Sequence, residues 1–208
     1  YGISAEVDGY LFAGDCAHSK IENAANMIFR SRPGMFSIFD YVNDFLTIEA
    51  KPTAMVNFNG RLYVFDSSNI YRVNPHTLQI EDVYEGIGCL NKDCVIVTEY
   101  GMFFADKNGV YQHNGTTPQK ISIPITLGGD TLVSFGGTDN FRDLSWDSII
   151  SRKKDSHISI SFLPRMNALL INIEYLNIIE GKSDGSLDIT QNELYTWVYS
   201  ISQNRWDL

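Results

Sequence analysis

The chain has few cysteines and no long hydrophobic run. Its 208 residues hold three cysteines, Cys16, Cys89 and Cys94. An odd number closes no disulfide framework, and a chain of this length needs none, so we expect assembly in a reducing compartment. No run approaches the roughly 18 consecutive apolar residues of a membrane-spanning helix, so the sequence predicts no membrane partner.

Positive charge is also scarce. Lys and Arg total 16 against 25 Asp and Glu, which gives a formal net charge of −9 and an isoelectric point of about 4.8. Such a surface repels phosphate, which argues against a protein that grips DNA through a basic patch. The one cationic cluster, residues 152–154, is typical of a solvated loop. An initiator Met is absent, and we expect the chain to be processed or to be a piece of a longer protein.

Motifs for nucleotide binding and nucleophilic catalysis are absent. The chain contains no Gly-x-Gly-x-x-Gly run, no P-loop and no Gly-x-Ser-x-Gly elbow. Cys16 and His18 with Cys89 and Cys94 are residue types that zinc accepts, but their spacing fits no paired knuckle, and buried thiols are the commoner interpretation. The sequence therefore predicts no enzymatic activity, no metal site and no cofactor.

Aromatic residues and glycine are abundant. Eleven Tyr, twelve Phe and three Trp accompany 16 Gly. Aromatic residues suit a pleated, half-buried surface, and Gly, Asn and Asp supply turns, so this composition predicts an all-β protein. The predicted strands are 54–58, 61–65, 70–74, 94–98, 101–105, 110–114, 158–163, 168–173 and 195–201. Short helical insertions are expected within 19–29 and 143–150.

A repeat with an offset of 40 residues is visible in the first half of the chain. Its landmarks are the pairs Asp66 and Asp106, Tyr71 and Tyr111, and Asn74 and Asn114. Weaker echoes occur at 9–15 and at 168–173 with 195–201, the last two separated by an insertion at 174–193. A repeat of this length with three or four short strands is typical of a β-propeller blade.

The sequence therefore predicts an all-β β-propeller with four blade-like units and short helical insertions. The units span about residues 9–50, 52–87, 94–125 and 157–208. Propellers have four to eight blades, so this chain could also be part of a larger propeller that further chain or neighbouring copies complete. A β-sandwich or barrel with chance internal similarity is the alternative.

These segments resemble the β-propeller structural proteins of short-tailed DNA phages. Those proteins form the tail nozzle, also called tail tubular protein B, or the muzzle in crAss-like phages. The resemblance is carried by residues 52–65, 70–71, 86–89, 95–97, 104–111, 114–115 and 120–122, and by the segment 26–31 with Pro33-Gly34 and a Phe-x-x-Phe stretch after it. It covers roughly residues 9–125 well and the closing strands, residues 197–206, loosely.

The resemblance implies a non-enzymatic virion protein, a nozzle or muzzle subunit that is assembled in the host cytoplasm and resides in the phage tail. Its expected partners are identical copies in a ring, other tail proteins, and double-stranded DNA that passes the exit channel without tight binding. A carbohydrate-binding or glycan-processing propeller that engages host surface glycans is the alternative. A small-molecule hydrolase propeller is a more remote third interpretation.

Three acidic residues are candidates for the wall of such a channel. A duplex must slide through a nozzle, whereas Lys and Arg contacts to phosphate would hold it. A net charge of −9 suits sliding. We therefore predict that Glu81, Asp82 and Glu85, in a turn-rich segment between two blades, face the channel. Keeping the surface soluble is the simpler role for the same carboxylates.

Overall fold

Four antiparallel β-sheets dominate the chain, described here by a computed structural model for residues 2–126, 132–134, 141–143, 145–151, 156–175 and 193–207. The chain divides into two compact units, Tyr1–Gln119 and Lys120–Leu208. Each large sheet has four or five strands, and helix is confined to short segments. The predicted all-β class is therefore confirmed.

The first unit contains three sheets in which consecutive strands are neighbours. Sheet 1 has the order β1-β2-β3-β4, with β5 also paired to β3, and comprises β1 (Ile3–Val7), β2 (Tyr10–Gly14), β3 (Met27–Arg32), β4 (Met35–Phe39) and β5 (Phe45–Thr47). Sheet 2 comprises β6 (Ala54–Phe58), β7 (Arg61–Phe65), β8 (Asn69–Val73) and β9 (Ile80–Glu85). Sheet 3 comprises β10 (Val95–Thr98), β11 (Gly101–Asp106), β12 (Gly109–His113) and β13 (Gln119–Lys120), where the division between the units falls. Single 3-10 turns occupy Ala24–Asn26 and Lys92–Cys94.

The second unit contains one large sheet and a two-stranded ribbon. Sheet 4 comprises β16 (Ser156–Leu163), β17 (Ala168–Tyr175), β18 (Glu193–Ser200) and β19 (Arg205–Asp207), and the ribbon pairs β14 (Leu132–Ser134) with β15 (Phe141–Asp143). Two short helices, α1 (Ile123–Thr126) and α2 (Trp146–Ser151), precede sheet 4, and a 3-10 turn at Pro164–Met166 joins its first two strands. Across the residues that the structure describes, no helix has the length and apolar character needed to cross a membrane.

The predicted strands all correspond to observed ones, with ends that agree within two residues. The predictions 54–58 and 61–65 coincide with β6 and β7. The weak echoes at 9–15, 168–173 and 195–201 fall on β2, β17 and β18, each a second or third strand of its sheet. Sheet 1 begins at Ile3 rather than at residue 9. The cationic cluster 152–154, and the insertion 174–193 apart from its ends, lie outside the described residues.

Sheets 1 and 2 pack face to face through an apolar core. Side chains alternate along β7, so Leu62 and Val64 point to one face of sheet 2 while Tyr63 and Phe65 point to the other. The first face joins sheet 1 in a cluster of buried residues: Ile3, Val7, Phe12, Ile28, Ile48, Met55, Leu62, Val64, Tyr71 and Val73.

The opposite face of sheet 2 packs on sheet 3. The ring of Phe65 lies 5.2 Å from that of Phe104 in β11, centroid to centroid. The first strands of the three sheets are also consecutive neighbours, since β6 contacts β1 on one side and β10 on the other. Sheet 2 is thus covered on both faces, which explains why four of the five residues of β7 are buried.

Candidate functional site

A buried aspartate closes the turn between the second and third strands of sheet 2. Asp66 is fully buried at the end of β7. Its Oδ1 atom accepts hydrogen bonds from the backbone N–H groups of Ser68 and Asn69, each at 2.6 Å. Its Oδ2 atom accepts one from the hydroxyl of Tyr71 at 3.1 Å. The carboxylate therefore holds the hairpin in shape from inside.

Asp106 repeats this arrangement in sheet 3. Its Oδ1 atom accepts from the N–H groups of Asn108 at 2.6 Å and Gly109 at 3.0 Å. Burial raises the pKa of Asp106, although the N–H donors act against that shift. Tyr111 stacks on Phe104 at 5.5 Å, and burial raises the pKa of Tyr111 to about 12. The first two landmarks of the repeat thus occupy equivalent positions on the hairpins of the two sheets.

The third landmark pair closes the next connection. Asn74 Oδ1 accepts from the N–H groups of His76 and Thr77, and Asn114 Oδ1 accepts from the N–H and the hydroxyl of Thr116. The repeat in the sequence is therefore a repeat of hydrogen-bonded turns.

The segment between sheets 2 and 3 crosses close over the Asp66 turn. A Cβ atom on Gly88 would collide with the backbone carbonyl of Asp66. The N–H of Gly88 hydrogen-bonds to the Asp106 carboxylate, and the N–H of Cys89 donates to the Asp66 carbonyl at 2.9 Å. This glycine therefore links the turns of two neighbouring sheets where no side chain fits.

Arg30 of β3 links sheet 1 to the connection between β8 and β9 of sheet 2. It lies in the segment 26–31 that carries part of the family resemblance. Its guanidinium donates to the backbone carbonyls of Pro75 and His76, and it pairs with the Asp44 carboxylate at 2.6 Å. It also lies 5.0 Å from the centre of the Tyr10 ring, a cation–π distance. The guanidinium thus fastens sheet 1 to the turn between β8 and β9.

The predicted channel residues lie on a strand and not in a turn. Glu81, Asp82 and Glu85 belong to β9, the outer strand of sheet 2. A bulge opposite Arg72 and Val73 leaves Glu81 as the extra residue and breaks the alternation of side chains. The sequence pattern did not indicate this strand for two reasons. Acidic residues are depleted in strands, and the bulge interrupts the alternation of side chains.

Two of the three carboxylates are paired with arginines inside sheet 2. Glu81 accepts two hydrogen bonds from Arg61 Nε, at 3.0 and 2.8 Å, and lies 3.4 Å from Arg72 Nε. Hydrogen bonding from Arg61 lowers the pKa of Glu81. Asp82 lies 3.8 Å from Arg72 Nη1. These two acids are therefore partly neutralised, which no pattern in the sequence indicated.

Glu85 lies instead at a groove between sheets 1 and 2. The groove encloses about 800 Å³. Its lining residues are Thr47 at the end of β5, Ile48 and Glu49 after it, Asn69, Tyr71, Ile80, Val83 and Glu85 in sheet 2, and Gly86 after β9. Its lining combines apolar side chains with the two carboxylates Glu49 and Glu85. No motif in the sequence pointed to it, because its two sides come from separate sheets.

A buried histidine sits between sheets 2 and 3. His113 is the last residue of β12 and is fully buried. Its ring lies 5.1–6.0 Å from those of Phe58, Tyr63 and Tyr84, and its Nε2 is 3.3 Å from the Tyr63 hydroxyl. Its Nδ1 has no hydrogen-bond partner among the described residues. Burial lowers the pKa of His113, which keeps the ring neutral.

The cysteines are buried or partly buried thiols and form no disulfide. Burial raises the pKa of Cys89 to about 12, so it stays protonated and unreactive. Cys16 and His18 line a small cavity of about 170 Å³ beside Phe29 and Tyr41. Over the described ranges, no three His, Cys, Asp or Glu side chains are grouped to hold a metal ion.

Comparisons with known proteins show a structural similarity at low sequence identity and no family match. No protein family matches the chain, and neither does any curated protein. Among solved structures the chain is similar to the extracellular domain of a protein described as a one component system from B. thetaiotaomicron, with a TM-score of 0.49 and 11% identity. The match covers 99% of this chain but 27% of the other, so this chain spans about a quarter of its length.

Proposed function

We propose that the chain is a non-enzymatic structural protein of a phage tail, a propeller-type nozzle or muzzle subunit that packs in a ring around the DNA exit channel. The phage context is supported by the sequence resemblance over roughly residues 9–125. The structural role is supported by the way sheets 1, 2 and 3 stack. The proposal includes location in the virion after assembly in the host cytoplasm.

The stacking of the first strands is the observation that carries the structural part of the proposal. Propeller blades are four-stranded sheets arranged face to face around a central axis. In this chain β6 lies between β1 and β10, each the first strand of its sheet. In the proposed propeller these three strands line the axis, and sheet 4 is a further four-stranded sheet of the same kind.

Contacts between sheets favour a rigid subunit. Arg30 fastens sheet 1 to the turn after β8, and Gly88 and Cys89 fasten the turn of sheet 2 to that of sheet 3. Hydrogen bonds that join neighbouring sheets make a sheet stack resist deformation. A nozzle needs such resistance, because its channel must stay open while DNA passes.

The acidic strand places a limit on where DNA would pass. β9 is the edge of sheet 2 remote from β6, so Glu81, Asp82 and Glu85 belong to the rim of the proposed propeller. They would border the exit channel only where the rims of several subunits surround it. The proposed DNA path therefore runs between subunits and not along the propeller axis.

Quantitative mass spectrometry of virions purified on a density gradient tests this proposal. We expect the chain in a fixed ratio to the portal and capsid proteins, unchanged by nuclease treatment and washing at high salt. Recovery of the chain only from the soluble lysate would contradict a virion role. A glycan array probed with the full chain is the second experiment. If the chain is missing from virions and binds a sugar saturably, the carbohydrate-binding alternative is favoured.

A further inference from the structure

Exposed apolar side chains are concentrated in one short segment. Five of the twelve large apolar residues that are exposed in the described parts of the chain fall within residues 35–42. They are Met35, Phe36, Ile38, Tyr41 and Val42, between 43% and 77% exposed. Four of the five residues of β4 are exposed, so both faces of this strand meet solvent. We call residues 32–42 the arm.

An exposed apolar arm of this kind is unusual on an isolated domain. A strand at the edge of an antiparallel sheet ordinarily buries alternate side chains. Contiguous exposed apolar patches mark contact surfaces, and Met and aromatic residues are enriched in them. The five side chains, about half exposed, offer roughly 400–600 Å². A standard interface buries about 800 Å² on each partner, so the arm offers roughly half to three quarters of the area of one side.

The groove between sheets 1 and 2 has the complementary character. Two of the remaining exposed apolar residues, Ile80 at 39% and Val83 at 40%, line it. Its volume of about 800 Å³ lies within the range of about 300–1,000 Å³ that accommodates a ligand or several side chains. Glu49 and Glu85 stand exposed along it.

Charge indicates what fills the groove. The arm begins with the exposed Arg32, while its one acid, Asp40, accepts hydrogen bonds from the N–H groups of Val42 and Asn43 and from the Asn43 side chain. Copies of a chain with a net charge of −9 repel each other in general. The exposed Arg32 of the arm and the exposed Glu49 and Glu85 of the groove are nevertheless opposite in charge, although Asp40 leaves the arm as a whole without net charge. We propose that the arm of one copy of this chain binds in the groove of a second copy.

The arm and the groove are different surfaces of one chain, so a contact in which each copy inserts its arm into the groove of the next copy is heterologous. Contacts of this type generate rings when the rotation between neighbours closes. The inference deepens the proposed function and rests on it for the ring, whereas the contact itself rests on the arm and the groove. It assigns Glu85 to the contact between copies rather than to the channel wall.

Sedimentation velocity of the full chain over a range of concentrations tests the apolar part. We expect the wild-type chain to associate. Phe36→Ser with Ile38→Ser should weaken association by about 100-fold, roughly tenfold for each half-exposed side chain. Ile80→Ser with Val83→Ser should do the same from the groove side. Ile123→Ser with Met166→Ser, more exposed at 69% and 64% but outside the arm and the groove, is the control and should associate as wild type.

A charge exchange tests the pairing itself. Arg32→Glu alone, and Glu49→Arg with Glu85→Arg alone, should each fail to associate. Mixed together, the two variants should associate again, because each arm then meets a groove of opposite charge. Arg165→Glu changes the same charge on an exposed residue outside the arm and should have no effect.

Three results would overturn the inference: a wild-type chain that stays monomeric throughout, arm and groove variants that associate as wild type, or a charge exchange without recovery. Far-ultraviolet circular dichroism shows whether each variant is folded. Association can be restored in the charge exchange only if both variants are folded. The presence of the chain in virions is measured separately. A chain that is found in virions but does not use this contact thus leaves the proposed function standing.

Discussion

At the scale of single residues, Gly88 fixes the spacing of sheets 2 and 3. A Cβ atom there would meet the backbone of Asp66, which cannot swing away as a flexible side chain can. We expect Gly88→Ala to lower the free energy of unfolding towards the upper end of about 1–3 kcal/mol, the usual range for overpacking. Urea denaturation measures the loss.

Gly86 in the same connection is the matched control for this substitution. It has a φ of +79°, but a Cβ atom at this position would have no neighbour within 4 Å, so Gly86→Ala brings conformational strain without a clash. That strain is worth about 1 kcal/mol. Equal losses for the two variants would contradict the role assigned to Gly88.

His113 makes the free energy of unfolding depend on pH. Its pKa is lowered in the folded chain by burial and by Arg72, with Asp82 acting against them, so the unfolded chain takes up the proton first as pH falls. Stability is therefore full above the unfolded pKa of about 6.5 and falls below it, by up to about 1.4 kcal/mol per pH unit. His113→Leu should remove this dependence between pH 7 and pH 5, measured by urea denaturation at each pH.

Two comparisons isolate the histidine. His18→Leu alters an exposed histidine and should keep the wild-type pH profile. Asp106 acts with the opposite sign, because its folded pKa is raised and its ionisation disfavours folding as pH rises. Asp106 is present in both chains, so it cancels in the difference between His113→Leu and wild type. Parallel profiles for those two chains would refute the assignment.

At the scale of elements, the repeated hairpins depend on their aspartates. Asp66→Ala leaves the backbone N–H groups of Ser68 and Asn69 without their acceptor, and Asp106→Ala does the same to those of Gly88, Asn108 and Gly109. We expect a loss of about 1–3 kcal/mol in each case, and a smaller one for Asn, whose carbonyl oxygen can still accept. Thermal and urea unfolding of both pairs, with the exposed Glu22→Ala as control, checks this. A loss of stability for only one of the two Ala variants would show that the Asp66 and Asp106 hairpins do not contribute equally to stability.

The outer strand β9 makes a salt-dependent contribution. Glu81→Lys would place a third cation beside Arg61 and Arg72, while Glu81→Gln keeps a hydrogen-bond acceptor. We expect the Lys variant to lose about 1 kcal/mol at low salt and to recover part of it at about 0.5 M NaCl, with a smaller, salt-insensitive loss for Gln. A salt-independent loss in the Lys variant would argue against this charge network. Neutral substitutions are thus the cleaner test of a channel wall.

The sequence predicted elements better than contacts. Strands such as 61–65 could be read directly, because apolar residues run between clear turns at Asn59-Gly60 and after Asp66. The 40-residue landmarks marked turns, because Asp and Asn act within three residues of their own position. Long-range features could not be read: the packing around His113, the Arg30 contact and the groove join residues from different sheets. The bulge at Glu81 concealed β9, and nothing local marks β4 as exposed on both faces.

At the scale of the whole molecule, the net charge and the apolar surfaces have opposite effects on the association of copies. A net charge of −9 keeps copies apart and repels duplex DNA, while the arm and the groove supply a local attraction between copies. A ring built in this way would hold its subunits by apolar contact and leave its acidic remainder to face DNA. Salt should therefore act on association in two directions, because screening weakens both the general repulsion between copies and the pairing of Arg32 with Glu49 and Glu85, and leaves the apolar contact in place.

Cryo-electron microscopy of purified virions tests the central claim most directly. The account predicts that the tail contains a ring of copies of this chain around an axial channel, each with the first strands of sheets 1, 2 and 3 side by side. Tail density that accommodates no copy of the chain, or copies placed as fibres away from the channel, would contradict it.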